Sequence, residues 1–158
     1  MQTLKASLVS LWLGAALFFS AAVAPAAFNV LRAVNGTELA GTIVSLTLRV
    51  INVAGFATGV ILLLLTLLFR KPRGVRFFVE ALLLLVLAAT NAVGHWIVAA
   101  RMSALRLAMK LPVSDVPLHD PNRVAFDRLH LYSVALLSAG MIAAIIFVAG
   151  MMSRQKYE

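Results

Sequence analysis

Four apolar stretches, each bounded by basic or turn-forming residues, constrain this sequence more than any other feature. They cover 6–31, 39–69, 77–97 and 131–152. A transmembrane helix needs about 20 consecutive, mostly apolar residues, and all four meet that length. Lipid offers the backbone no water to bond, so spanning segments of this kind must satisfy their amides internally, as helices. The sequence therefore predicts an all-α fold, an integral membrane four-helix bundle forming a single domain over 1–158. Composition agrees: 62% of residues are hydrophobic and 13% charged, whereas a soluble domain carries about 25% charged residues. The formal charge of +8 belongs to residues that flank the spans, a membrane-topology pattern that gives no reason to expect a nucleic-acid partner. With no cysteine, disulfides, thiolate metal sites and cysteine nucleophiles are excluded.

The first span, 6–31, opens like a secretory signal, with a basic start and small residues at AVAPAA. The apolar run continues through AAFNVL, however, and so reads as a retained helix. Asn35-Gly36 then makes a turn, with Thr37 capping the next helix. The second apolar stretch is too long for one crossing and contains Arg49. Centring the bilayer on 39–58 would bury that guanidinium at a cost of about 2.5–3.5 kcal/mol. Placing it at 50–69 puts Arg49 and Arg70 at the two boundaries instead, and this is the span we expect. Residues 70–76 (RKPRGVR) form a basic hairpin, and 77–97 form the third span. LPVSDVPLHDP is a loop. Asp120-Pro121 then reads as an N-cap followed by proline at the first helical position, opening a helix that becomes the fourth span, 131–152.

Four crossings place both termini on one side. The short, dense cluster of Lys5, Arg70, Lys71, Arg73, Arg76, Arg154 and Lys156 marks that side as cytoplasmic under the positive-inside rule. On the other side 37–48, 98–110 and 121–130 are expected to continue as helix beyond the bilayer, with the apolar 37–48 stretch covered by the other two. Arg101 or Arg106 would pair with Asp127 across that cap. Trp12 and Trp96 fit opposite interfacial belts, and Glu80 fits a helix-surface ion pair with Arg76. Gly55, Gly59, Ala135, Ala139 and Ala143 supply small residues for helix packing.

Aligning the spans brings polar side chains from all four helices to one boundary: Asn29, Arg49, Asn52, Asn91, His95, Trp96, His130 and Ser133. Polar groups in apolar spans need partners and should face the bundle interior, so these describe a vestibule. With Asp127, the candidate ligand-binding residues are Arg49, Asn52, Asn91, His95, Asp127, His130 and Ser133. Arg49 could hold phosphate or carboxylate. His95 and His130 could ligate a metal or haem, or relay protons, although an imidazole at an interface more often just bonds a carbonyl. No HExxH, P-loop, GxSxG or nucleotide fingerprint is present, and catalysis finds no support.

Several stretches carry a family likeness: LWLGAALFFSAAVAPAAF, ELAG, NAVGHWIVAARMSALR and above all DPNRVAFDRLHLYS, with its Phe126-x3-His130-x2-Ser133 pattern. Through them the chain resembles an uncharacterised four-pass membrane family that includes transmembrane protein 205-like proteins. The resemblance implies a four-helix membrane bundle that retains its first span. It brings no catalytic or cofactor residues. Where that pattern has a proline before the arginine at 101, this chain has Ala100.

The expected function is non-enzymatic: binding or passage of a small ligand or ion at the vestibule, in an inner or plasma membrane, with no cofactor. Two alternatives are a scaffold subunit, using a membrane-protein partner or its own copies, and a haem- or metal-binding redox protein through His95 and His130.

Overall fold

The computed structural model describes residues 2–34, 36–69 and 74–155, except the side chains of 154 and 155. It contains four helices long and apolar enough to cross a membrane: α1 (Gln2–Arg32), α2 (Thr37–Phe69) and α3 (Gly74–Met109), and α4 (Pro121–Gln155). No strand occurs among the described residues. Helices of 31 to 36 residues are roughly 45–55 Å long at about 1.5 Å per residue, well beyond the ~30 Å of a bilayer's hydrocarbon core. The helical continuations through 37–48, 98–109 and 121–130 are present, and α1 is extended as well. The basic residues 70–73 of the expected hairpin lie outside the described set.

Two segments depart from α geometry. Phe19–Val23 in α1 and Val93–Ala99 in α3 are π-helical. Pro25 accounts for the first: it has no amide proton and its ring crowds the carbonyl one turn back, so the preceding turn widens. The second contains no proline and coincides with the polar residues described below. Lys110 ends α3 in the left-handed conformation (φ 55°). Asp120 caps α4 as expected, its Oδ1 accepting from the Asn122 and Arg123 amides at 2.8 and 3.3 Å.

Around the bundle α1 touches α2 and α4, and α3 touches α2 and α4, so α1 and α3 face each other diagonally. The core contains Val9, Leu62, Leu84, Leu87, Ala144 and Phe147. Toward the end away from the termini the four helices divide into two pairs. Ala24–Arg32 packs on α2, whereas Ala100–Met109 packs on α4. The 37–48 stretch packs mainly on the end of α1, because the tight turn after Arg32 folds α2 back along it, while from the expected 98–110 segment the Arg106 side chain reaches Gly41. The Gly36 amide donates to the Leu31 carbonyl at 2.7 Å in that turn. A small cluster of Met109, Val116 and Phe126 closes the other pair.

The expected cross-cap ion pair is not formed. Asp127 accepts from Arg123, one turn earlier on its own helix, at 3.0 Å, and Arg123 also donates to the Val113 carbonyl. Arg106 instead lies over the Phe126 ring, 5.6 Å from its centroid. A guanidinium gains more from a half-dry aromatic face than from a solvated carboxylate already paired locally.

Candidate functional site

Residues 5, 9, 12, 16 and 19 of α1 are buried, a stripe at the three-to-four spacing of one helical face. It carries two polar side chains into the bundle. The first is Lys5, 2% exposed. Its ammonium donates to Thr66 Oγ1 of α2 at 2.6 Å and to Glu80 Oε1 of α3 at 2.8 Å. Thr66 in turn donates to the Leu62 carbonyl at 2.7 Å, leaving its lone pairs for Lys5. Glu80 is 3% exposed. The surface pairing expected with Arg76 gives way to this buried triad because Glu80 lies on the inward face of α3, where the long lysine side chain crosses the bundle diagonal to meet it.

The second is Trp12, buried and not at an interface as expected. Its indole Nε1 donates to the Ile51 carbonyl of α2 at 2.9 Å. Gly55 makes room for this: a Cβ there would come within 2.5 Å of Trp12 Nε1 and 2.6 Å of Asn91 Oδ1. On the opposite wall Gly140 of α4 packs against Thr90 Oγ1 and the Trp12 ring, at 3.0 and 3.4 Å from the corresponding Cβ position. Trp12 therefore touches α2 and α4 from α1. Replacing it with phenylalanine removes one buried hydrogen bond, worth about 0.5–1.5 kcal/mol. A lower thermal midpoint by a corresponding few degrees is expected.

Around this tryptophan lies a polar centre. Asn91 is 2% exposed and Asn52 is also buried. Asn52 Nδ2 lies 3.3 Å from the Cβ position of Gly94, within the π-helical segment that carries His95. Asn91 Nδ2 donates to the Leu87 carbonyl at 2.8 Å, which fixes the amide so that Oδ1 points inward. Asn91 Oδ1 and His95 Nδ1 are both buried and have no hydrogen-bond partner. Leaving such a group unpaired costs about 1–3 kcal/mol. The His95 ring packs edge-on against Trp96, which meets Phe56 in the same way; both ring pairs are 4.9 Å apart. Trp96 is exposed.

The remaining candidates stand elsewhere. Arg49, Asp127 and His130 are exposed, as is Asn29, and Ser133 is half-buried. The structure thus brings together Asn52, Asn91 and His95, and leaves Arg49, Asp127 and His130 at the surface. Among the packing residues Gly55, Gly59 and Ala143 are buried, Ala139 is half-buried and Ala135 is exposed. Among the described residues, no three of His, Cys, Asp and Glu gather as a metal ion would require. An apolar layer of Leu62, Leu84 and Leu87, each almost fully buried, lies between the Lys5 triad and the polar centre. Glu80 and Asn91 are eleven positions apart on α3, a rise of roughly 16 Å.

The family model for a domain of unknown function, DUF4149, matches residues 7–110. The chain belongs to the DUF4149 family. The matched part of this DUF4149 protein holds Trp12, Asn52, Gly55, Asn91 and His95, together with Thr66 and Glu80. Lys5 and the whole of α4 lie outside it. No curated protein and no solved structure matches the chain.

Sequence reasoning missed Lys5, Thr66 and Trp12 as members of an interior polar system. The signal was there in two forms. One is the 5-9-12-16-19 stripe. The other is the parallel course of α1 and α3, which puts a cation and an anion near the same end of the bundle.

Proposed function

We propose that this DUF4149 protein is an integral inner- or plasma-membrane protein, its termini cytoplasmic, that binds a small ligand at Asn52, Asn91 and His95. One observation carries the reading. Two buried polar atoms, Asn91 Oδ1 and His95 Nδ1, one helical turn apart, lack partners in the middle of an apolar bundle. Polar groups in such a setting are expensive and mark functional positions. Binding is favoured over passage, since the Leu62, Leu84 and Leu87 layer closes the way toward the Lys5 end. Arg49, Asp127, His130 and Ser133 then stand around the approach and not in the site. Kinship with transmembrane protein 205-like proteins is part of the same proposal.

Asn91→Leu tests it. Leucine has a similar volume and removes the unpaired oxygen, so stability should hold or rise by about 1 kcal/mol. A small molecule that copurifies with the wild type, seen by native mass spectrometry from mild detergent, should be absent from the variant. Retention of the same molecule by the variant would overturn the proposal, and so would a loss of more than about 2 kcal/mol, which would mark Asn91 as a structural bond.

A further inference from the structure

The polar centre also restricts what it can hold. Asn91 Nδ2 is committed to the Leu87 carbonyl, so the side chain presents only its oxygen, and an amide oxygen can only accept. No described carboxylate joins it. Glu80 lies beyond the leucine layer with Lys5, and Asp127 is exposed and paired with Arg123. No described cation joins it either: Arg49 and His130 are exposed. A charge brought here would be desolvated without a counter-charge, at a cost far above that of a neutral group. The walls are close as well, since even one added carbon at Gly55, Gly94 or Gly140 would lie within 3.3 Å of a neighbouring side chain.

We infer that the ligand is a small, uncharged molecule that donates a hydrogen bond to Asn91 Oδ1, with His95 Nδ1 as its second contact. This deepens the proposed function and rests on the polar centre being a binding site. Neutral imidazole takes either tautomer, so His95 can accept from the ligand or donate to it, while Asn91 sets the requirement for a donor.

Matched probes test it. The ring nitrogens of His95 are followed by 15N NMR on detergent-solubilised protein and assigned by their loss in His95→Phe. Acetamide is neutral with an N–H, N,N-dimethylacetamide is neutral without one, acetate is an anion and methylammonium a cation. Acetamide should shift the His95 signal saturably in the wild type, with the shift lost in Asn91→Leu, and the other three should not. A saturable, Asn91-dependent shift with dimethylacetamide, acetate or methylammonium would keep the site but overturn the ligand class. Absence of any shift with all four probes would overturn both. Acetamide shifting His95 equally in Asn91→Leu would remove the assigned donor contact.

Discussion

Replacing Glu80 with alanine should cost the bundle about 3–5 kcal/mol, the usual loss when one partner of a buried ion pair is removed. Among the described residues Lys5 is held by two contacts, 2.6 Å to Thr66 and 2.8 Å to Glu80, inside a core closed by Leu62 and Leu84. A hydroxyl alone does not compensate a desolvated ammonium. Lys5→Met should also destabilise, and the Lys5→Met, Glu80→Ala double variant should lose clearly less than the sum of the singles. Neighbouring partners share one interaction, so their effects are not additive. Urea unfolding in mild detergent, or thermal melting followed by circular dichroism, gives the comparison. Strictly additive losses would show that Lys5 and Glu80 act independently.

Gly59→Ala should be among the most damaging single-methyl changes in the bundle. The added carbon would fall 2.8 Å from the Ala88 backbone nitrogen and 3.0 Å from its Cα. Backbone cannot rotate aside, so α2 and α3 must separate, and overpacking of this kind costs about 1–3 kcal/mol. Gly55→Ala meets side-chain atoms, Trp12 Nε1 and the Asn91 amide. It should cost a similar amount while displacing the indole, read as a change in tryptophan fluorescence. Gly14→Ala is the control. Nothing lies within 4 Å of its Cβ position, and alanine's helix propensity exceeds that of glycine by about 1 kcal/mol, so no loss is expected.

The helices were legible because hydropathy blocks of this length admit little else. What the blocks do not carry is rotation about each helix axis. Depth along the spans put Arg49, His95, Asn52 and His130 at one level. Facing depends on the buried stripe, which on α2 runs through Asn52, Gly55, Gly59, Leu62 and Thr66 and passes Arg49 by. Trp12 was misread for the same reason: distance from the end of α1 suggested an interface, while its place in the 5-9-12-16-19 stripe points inward. Lys5 and Glu80 each had a sufficient local explanation, as a flanking cation and as half of an i,i+4 pair. Only the diagonal placement of α1 and α3 joins them. The division into two helix pairs was hidden because it depends on the turn after Arg32, whose geometry no periodicity encodes.

The contact between Lys5 and Glu80 also has a bearing on the order of assembly. The two residues are 75 positions apart, so a chain made N-terminus first exposes the lysine long before its carboxylate exists. Until then the ammonium is better served by water or headgroups, and α1 has no low-energy way to seat its inner face. Thr66 arrives earlier, but a neutral hydroxyl cannot offset the desolvation of a cation. Closure of the core around Val9 and Trp12 must therefore wait for α3. The earliest of these four helices to be synthesised is among the last to be locked in place.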